Sequence, residues 1–432
     1  MLYYSLNKQS PTVDFKQATI AGQAPDKGLY FPATLPQLDK EFIEHIEQYS
    51  KEAIAFKVIK PYVGDSIPDE VLQGIVNETV NFDIPLVPIT ESISSLELFH
   101  GPTLAFKDIG ARFMSRCLGH FLKGNHKKVT VLVATSGDTG GAVANGFYGV
   151  DGVEVVVLYP SGKVSAVQEA QITTLGKNIH ALEVDGSFDD CQQMVKQAFT
   201  DTELTSQLFL TSANSINVAR WLPQQFYYFF AYQQWKDKGH PPIISVPSGN
   251  FGNICAGILA HVSGLPVQHF IAACNANKVV PDYLLTQQYE PKPAVATISN
   301  AMDVGNPSNF VRVLEIFHQE FGSLKNVLSS YSITDAETKQ AIKDVYQQHQ
   351  YLLDPHGAVG YIALQRELAK HPGSKGMVLE TAHPVKFNPA IMDILGENIL
   401  AEKEAALLLD DHKQSIPMSN DYNSLKGILK EL

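Results

Sequence analysis

The feature that most constrains the fold is an alternation of short apolar runs with helical segments, which begins near residue 129. Six runs rich in β-branched residues have the length and composition of buried strands: VTVLVAT, VEVVVLYP, IHALEVDG, LFLTSA, PIISVPSG and QHFIAACN. Segments with helical spacing follow several of them, such as SAVQEAQITTLG and DDCQQMVKQAF. This alternation predicts an α/β fold with mainly parallel sheets flanked by helices. Because ligands bind at the carboxyl ends of parallel strands, we expect the site in the strand-to-helix loops.

The chain divides into three predicted segments. Residues 1–92 form a mixed N-terminal unit without a visible catalytic constellation, so we assign it a structural role. Residues 93–395 contain the strand–helix alternation and should hold the catalytic region. Residues 396–432 are charged and have helical spacing, which predicts a helical element at the C-terminus.

Composition limits the class of protein and its partners. The chain has 432 residues, of which 44% are hydrophobic and 18% charged, as is typical of a soluble globular protein. A formal net charge of −12 argues against general binding to nucleic acid or anionic membrane, while a few local cations still allow a small anionic substrate. The four cysteines form no CxxC pair, the N-terminus has no signal-peptide pattern, and no apolar run approaches the roughly 20 residues of a membrane span. We therefore expect a cytoplasmic protein without nucleic-acid or membrane partners.

The stretch FHGPTLAFKDIGARFM places a lysine at the start of a predicted helix. Pro102 cannot continue a helix backwards, so the helix should begin close to Lys107. Phe106, Ile109 and Phe113 recur at helical spacing and should share a buried face. A lysine at a helix N-terminus faces the positive end of the helix dipole. Lys107 therefore either points into solvent or carries a working amine.

The loop VPSGNFGNICAG follows a predicted strand and opens a helix of small residues. Gly249 and Gly252 let the backbone approach a ligand closely, and exposed N–H groups at a helix N-terminus suit a phosphate. The alternative is an ordinary glycine-containing turn between a strand and a helix.

The loop VATSGDTGGAVANGF has the same placement after another strand. Thr135, Ser136 and Thr139 offer hydroxyl groups, and backbone N–H groups beside them suit a carboxylate. The helix that follows has very little side-chain bulk, so it can lie close to a sheet or a ligand. Tight packing alone is the alternative interpretation.

A third strand end, in VLETAHPVKFNPA, supplies Thr381, His383 and Lys386. Taken singly, the histidine would be structural and the lysine a surface charge. Asp354 and His356 in DPHGAVG are too few for a metal site, and we interpret that segment as a turn before a helix. The sequence contains no G-x-S-x-G, HExxH or P-loop pattern.

One amine, one phosphate cradle, one carboxylate cradle and a parallel α/β scaffold are the parts that a pyridoxal phosphate enzyme requires. The lysine forms a Schiff base with the cofactor aldehyde, and the ring acts as an electron sink. Burial would lower the lysine pKa, which makes the amine a usable base between turnovers.

Five segments together resemble the threonine synthase family in its long bacterial and fungal form: HGPTLAFKD, TSGDTGGAVA, SANSINVAR, PSGNFGN and TAHPVKF. The similarity runs from about residue 1 to about residue 400 and includes GLYFP near residue 28. The resemblance implies a fold type II pyridoxal phosphate enzyme, with two α/β domains and an N-terminal α+β domain. It also implies conversion of O-phospho-L-homoserine and water to L-threonine and phosphate, the last step of threonine biosynthesis.

By resemblance, Lys107 carries the cofactor, Thr381 binds the pyridine nitrogen, and the TSGDT loop holds the substrate carboxylate and the cofactor's phenolic oxygen. The implied cofactor-binding residues are Lys107, Gly249, Asn250, Phe251, Gly252, Asn253, Thr381 and Asp138. The implied residues for the substrate carboxylate are Thr135, Ser136, Gly137 and Thr139, and our own candidates for the rest of the substrate are Asn214, Arg220 and Lys386.

Asp138 departs from the wider fold type II pattern, in which TSGNTG carries Asn at this position. An amide can donate a hydrogen bond to a phenolate, whereas an ionised carboxylate can only accept. We hypothesise that Asp138 is protonated, or that it positions the loop without donating directly.

The cations that hold the substrate phosphate are not assigned by the resemblance. Arg220 and Lys386 are the first choices, with Asn214 as a neutral donor. Arg112 lies on the same predicted helix as Lys107 but about 140° away around its axis, so it ranks behind them.

Four alternatives stay open. A phospho-lyase that releases a keto acid from the same substrate needs nearly the same residues, and a serine or threonine dehydratase lacks a second phosphate to bind. A protein that binds the cofactor without turnover, or a nucleotide-binding protein that uses GNFGN, belongs to a different class. Either a monomer or a homodimer is compatible with the sequence.

Overall fold

The six apolar runs predicted as strands form strands in the computed structural model, which describes residues 1–124, 128–408 and 412–432. The strands are β1 Leu2–Ser5, β2 Val13–Asp14, β3 Tyr30–Pro32, β4 Leu86–Pro88, β5 Ile93–Glu97, β6 Val129–Ala134, β7 Val153–Pro160, β8 Ile179–Asp185, β9 Phe209–Ser212, β10 Ile243–Pro247, β11 His269–Cys274, β12 Leu328–Ser332, β13 Gly376–Glu380 and β14 Ser415–Ser419.

The helices are α1 Phe15–Ala21, α2 Lys40–Glu44, α3 Lys51–Val63, α4 Asp69–Thr79, α5 Lys107–Leu122, α6 Asp138–Phe147, α7 Ala166–Thr173, α8 Phe188–Thr200, α9 Thr202–Gln207, α10 Val218–Trp221, α11 Phe226–Gln234, α12 Gly252–Val262, α13 Val279–Thr286, α14 Phe310–Ile316, α15 Phe321–Val327, α16 Asp335–His349, α17 Pro355–Leu368, α18 Asn388–Leu395, α19 Ala401–Leu407 and α20 Tyr422–Glu431. Short 3₁₀ turns include Asn300–Met302 and Pro384–Phe387. None of the helices in the described ranges combines the length and apolarity needed to span a bilayer.

Two large sheets carry the α/β part of the fold. One has the order β12-β11-β10-β13-β5-β4, and all its pairs are parallel except β4 with β5. The other has the order β14-β8-β7-β6-β9 and is parallel throughout. This arrangement confirms the predicted α/β class, in which helices connect successive parallel strands.

The N-terminal unit contains the antiparallel sheet β2-β1-β3 and helices α1 to α4. Its apolar side chains join the core of the α/β part, because Phe31 stacks on Trp221 with ring centroids 5.9 Å apart. Arg312 strengthens this junction by donating to the carbonyl oxygens of Tyr30 and Ile216. The N-terminal unit is therefore packed directly onto the segment that carries SANSINVAR.

Strand β4 lies near the predicted boundary at residue 92, and strand β14 lies within the predicted C-terminal element. Strand β4 pairs with β5, and β14 pairs with β8 at the edge of the five-stranded sheet. The C-terminal element, of which residues 409–411 lie outside the described residues, is thus not purely helical as predicted: it contributes a strand between α19 and α20. The division into three segments itself stays a prediction.

Candidate active site

A cavity of about 310 Å³ opens between the carboxyl ends of β6 and β10, strands of two different sheets. Most of the predicted site residues line it: Lys107, Thr135, Ser136, Thr139, Asn214, Arg220, Gly249, Asn250, Phe251, Gly252, Asn253 and Thr381. Gly137, Asp138 and Lys386 are not part of the lining. The expectation that ligands bind at the carboxyl ends of parallel strands therefore leads to this cavity. Loops from both sheets meet at the cavity in the structure.

Lys107 is the first residue of α5, as the sequence predicts, and its side chain lines the cavity. Burial lowers the pKa of the amine, with Lys386 and Arg220 acting in the same direction and Asp138 opposing them. The Nζ atom lies 3.8 Å from Asp138 Oδ2 and 5.4 Å from the ring centroid of Phe106. Lys107 is thus a buried amine of weakened basicity, not a solvated surface charge.

The GNFGN loop joins β10 to α12 and presents the N-terminus of that helix to the cavity. Phe251 adopts a left-handed conformation with φ of 62°, which turns the chain into the helix. A Cβ atom on Gly249 would lie 2.7 Å from Ala301 O and 3.0 Å from Met302 Cα, so only glycine fits there. This loop has the form of an anion cradle, with free N–H groups at a helix N-terminus.

Asn309 holds the cradle against the SANSINVAR segment. Its side-chain amide donates to Ser215 Oγ at 2.9 Å and to Asn250 O at 3.1 Å. Its own N–H group also donates to Asn250 O. The two loops that face the cavity are therefore cross-linked by a single side chain from outside both motifs.

Thr135 organises the TSGDT loop from inside. Its hydroxyl oxygen accepts the N–H groups of Gly137 at 2.9 Å and Gly140 at 2.8 Å. Gly137 has φ of 130°, and a Cβ atom there would lie 2.4 Å from the Gln168 side chain. Ser136 and Thr139 line the cavity and are only partly buried, so their side chains are accessible from it.

The surroundings of Asp138 favour the ionised carboxylate over the protonated form that we hypothesised. Its Oδ1 atom lies 2.8 Å from Lys386 Nζ and accepts from Gln168 Nε2 at 2.9 Å. Burial opposes ionisation, but the charges of Lys386 and Lys107 and these two hydrogen bonds hold the pKa well below its usual range. The other half of the hypothesis, positioning of the loop, agrees with this geometry.

Lys386 is fully buried and takes no part in the cavity wall, which argues against its predicted contact with the substrate phosphate. Its ammonium group donates to Thr103 O at 2.7 Å and pairs with Asp138. The physical reason is the desolvation cost of a buried lysine, which requires a nearby carboxylate to remain charged. The TAHPVKF segment contributes Thr381 to the cavity instead.

Arg220 is the remaining predicted cation, and it faces the cavity from α10. A Cβ atom on Gly110 would lie 3.1 Å from Arg220 Nε. Because Gly110, one turn after Lys107, has no side chain, the Arg220 guanidinium can pack directly against α5. Its NH1 group donates to Ala213 O at 2.6 Å, while the buried Nε has no hydrogen-bond partner among the described residues. Arg112, which ranked behind it, instead donates to Glu78 O and Asn81 Oδ1 and does not line the cavity.

Several lining residues escaped the sequence analysis. Lys163 follows the carboxyl end of β7, so the expectation that ligands bind at strand ends could have predicted it. Asn300 and Asp303 belong to an irregular segment that has no periodic signal. His356 was set aside in a turn, whereas the structure places it on the first turn of α17 and in the cavity wall.

The lining fits pyridoxal phosphate. It supplies one buried amine, a glycine cradle that a Cβ atom would close, and a hydroxyl group at a strand end. Among the described residues, no three His, Cys, Asp or Glu side chains gather into a metal-binding group.

Comparison with known proteins gives the same assignment for the whole chain. Residues 95–380 match the family described as pyridoxal-phosphate dependent enzyme. Residues 2–80 match the threonine synthase N terminus, and residues 357–429 match the threonine synthase C-terminal family.

Individual relatives agree over their full length. Threonine synthase from Serratia marcescens is 44% identical over 433 residues, with 100% of both chains covered. The crystal structure of threonine synthase from Escherichia coli superposes with a TM-score of 0.93 at 42% identity and covers 100% of both chains. Pyridoxal-phosphate-bound threonine synthase from Brucella melitensis gives a TM-score of 0.91 at 33% identity, covering 100% of this chain and 99% of that one.

Proposed function

This chain belongs to the threonine synthase family of pyridoxal-phosphate-dependent enzymes, and on that basis we propose that it converts O-phospho-L-homoserine and water into L-threonine and phosphate. In this proposal it is a carbon–oxygen lyase and acts in the last step of threonine biosynthesis. The observation that carries the proposal is the buried amine of Lys107, which shares one cavity with a glycine cradle and an arginine.

We assign the cofactor to Lys107, to the cradle and to Thr381. The Lys107 amine is the attachment point, the N–H groups of Gly249–Asn253 receive the cofactor phosphate, and the Thr381 hydroxyl meets the ring nitrogen. The tight contact of Gly249 with the Asn300–Met302 turn supports this assignment, because it leaves the space inside the loop to a ligand. Asp138 positions the TSGDT loop and balances the charges of Lys107 and Lys386.

We assign the substrate to the opposite side of the cavity. Ser136 and Thr139, with the backbone of the Thr135–Thr139 loop, receive the substrate carboxylate. Arg220 and Asn214 receive its phosphate, and the unpartnered Nε of Arg220 supports this choice. A guanidinium matches two phosphate oxygens at once, which orients the leaving group as well as binding it.

The cofactor, when bound, supplies an electron sink that makes the protons on the α and β carbons of the substrate removable. Lys107 Nζ carries those protons, because burial lowers the pKa of the amine and so favours its unprotonated form, which acts as a base. Arg220 holds the phosphate group while its bond to the γ carbon breaks. To complete the reaction, Lys107 Nζ returns a proton to the γ carbon and water adds its oxygen at the β carbon; the Lys107 side chain is 16% exposed, so water can reach it from the cavity.

The proposal is tested by the absorbance spectrum of the purified protein before and after O-phospho-L-homoserine is added, with threonine and phosphate measured together. We expect a yellow band that changes with substrate, and one threonine for each phosphate released. Phosphate accompanied by 2-oxobutyrate in place of threonine would assign the chain to the phospho-lyase reaction instead.

Two variants on the same helix sharpen this test. Lys107→Ala should abolish both the substrate-dependent spectral change and threonine formation. Lys123→Ala, at the exposed opposite end of α5, should change neither. If Lys107→Ala kept its turnover, the assigned attachment point would be incorrect.

Location and assembly stay predictions. We propose a cytoplasmic enzyme that is a monomer or a homodimer, on the basis of its composition and the biosynthetic role of its family. Light scattering on the eluate of a size-exclusion column would distinguish the two assemblies from larger ones.

A further inference from the structure

His356 lies in the cavity wall at the N-terminus of α17, between the two ends of the proposed cofactor site. The side chain is only 2% exposed and packs against Phe387 with ring centroids 4.9 Å apart. None of the roles assigned above uses this histidine.

Both ring nitrogens of His356 form hydrogen bonds, and the two partners are compatible with only one tautomer of the ring. The N–H group of Ala301 donates to Nε2 at 3.2 Å, so Nε2 must be the unprotonated nitrogen. Nδ1 then carries the proton and donates to Asp354 Oδ1 at 2.6 Å. Because Nε2 is already an acceptor for Ala301, the ring is not free to exchange protons with a substrate.

Asp354 ties this histidine to the strand end that carries Thr381. As the N-cap of α17 it accepts the N–H groups of His356 and Gly357, and its own N–H group donates to Glu380 Oε1 at 2.5 Å. A Cβ atom on Gly357 would lie 1.6 Å from Glu380 Oε2, so the helix and the strand end are in direct contact. Glu380 immediately precedes Thr381 in the chain.

On its other side, His356 holds the turn that contacts the phosphate cradle. The Asn300–Met302 turn packs on Gly249 so closely that Ala301 O would be 2.7 Å from a Cβ atom there. Asn275 donates to Ser299 O and Asp303 Oδ1 and so holds the two ends of this turn. The bond from Ala301 to His356 adds a link between the middle of the turn and α17. A shift of Ala301 would be transmitted directly to Gly249.

We infer that His356 is a positioning residue that sets the spacing between the Gly249 cradle and Thr381, and thereby the seat of the cofactor. The chain of contacts runs from Glu380 through Asp354 and His356 to Ala301. It requires a neutral imidazole with its proton on Nδ1. This inference depends on one part of the proposed function, namely that pyridoxal phosphate occupies the cavity.

Two amide variants separate the two ends of the ring. His356→Gln can place a carbonyl oxygen near the position of Nε2 and accept from Ala301, while His356→Asn can donate to Asp354 but does not reach Ala301. We expect His356→Asn to raise the Kd of pyridoxal phosphate at least tenfold, and His356→Gln to stay within about threefold of the wild type. The Kd is measured by absorbance titration of protein from which the cofactor has been removed.

Hydrogen exchange supplies a readout that does not depend on the cofactor or on turnover. The Ala301 amide should be protected in the wild type and in His356→Gln, even without cofactor, and should exchange much faster in His356→Asn. Equal losses of affinity in both variants would reduce His356 to a packing role and overturn the inference. Rapid exchange of Ala301 in the wild-type protein would overturn it without any variant.

Parallel assays of the wild type keep this test separate from the proposed function. If the wild type binds pyridoxal phosphate but makes no threonine, the reaction is wrongly assigned while the positioning role stands on the affinity data. If the wild type makes threonine and His356→Asn binds the cofactor with unchanged Kd, the positioning role alone is overturned.

Discussion

Lys386 Nζ lies 2.8 Å from Asp138 Oδ1, and the two side chains are 0% and 4% exposed. Each charge stabilises the other, because a single unpaired ion of either sign would have a large desolvation cost in this buried position. The pair also places a carboxylate 3.8 Å from the Lys107 amine. Lys386, which we expected at the substrate phosphate, therefore lies behind Asp138 and supports the proposed cofactor lysine, Lys107.

We expect Lys386→Met to destabilise the protein by about 3–5 kcal/mol, because it leaves Asp138 buried without its main partner. The free energy of unfolding in urea measures this effect. The double variant Lys386→Met with Asp138→Asn should recover part of the loss, since neither charge then remains. A variant Lys386→Met with unchanged stability and only a raised KM would restore Lys386 as a phosphate ligand.

The lowered pKa of Lys107 predicts how cofactor attachment depends on pH. Only the unprotonated amine attacks an aldehyde, so the rate at which cofactor-free protein binds pyridoxal phosphate should rise with pH. Its midpoint should lie below the value of about 10.4 that is usual for lysine. Stopped-flow absorbance at a series of pH values gives this midpoint.

Asp138→Asn supplies the control for that profile. The Asp138 carboxylate raises the pKa of Lys107, so its removal should move the midpoint to still lower pH. A midpoint that stays in place, or moves upward, would show that Asp138 does not act on the amine by its charge.

Arg220→Lys should lower kcat/KM for O-phospho-L-homoserine by tenfold or more, which corresponds to about 1.4 kcal/mol. A lysine keeps the positive charge but loses the bidentate geometry and the unpartnered Nε donor. Steady-state kinetics measure the effect. Arg112→Lys on α5 is the matched control, because Arg112 contacts Glu78 outside the cavity. If the two variants had equal kinetics, Arg220 would not belong to the substrate site.

Gly249→Ala should raise the Kd of pyridoxal phosphate at least tenfold, because the added Cβ atom would collide with the backbone of Ala301 and Met302. Absorbance titration of cofactor-free protein measures the change. Gly74→Ala on α4 is the control, since a Cβ atom there has open space, and it should stabilise the protein by about 0.5–1 kcal/mol. Full cofactor affinity in Gly249→Ala would mean that the phosphate lies elsewhere.

Periodicity predicted the parts of the site that depend on neighbouring residues in the chain. The start of α5 at Lys107 follows from Pro102 and the helical spacing beyond it, and β6 and β10 follow from runs of β-branched residues. Strand β14 was missed because its exposed, mixed residues have no strand pattern, and it exists through pairing with β8. The Asn300–Met302 turn was missed for a related reason: its position depends on His356 and Gly249 and not on its own sequence.

The sequence by itself determined the family and the cofactor and pointed to Lys107 as its proposed attachment point, because these depend on short motifs whose residues act together where a strand ends or a helix begins. Only the tertiary structure decided which charges face the ligand and which support one another. Asp138 and Lys386 belong to loops from different sheets, and both sequence motifs are compatible with a free or a paired side chain. Burial decides whether such a side chain is free or paired. A charged group that is removed from water needs a partner, and that partner must come from the residues that the fold places around it.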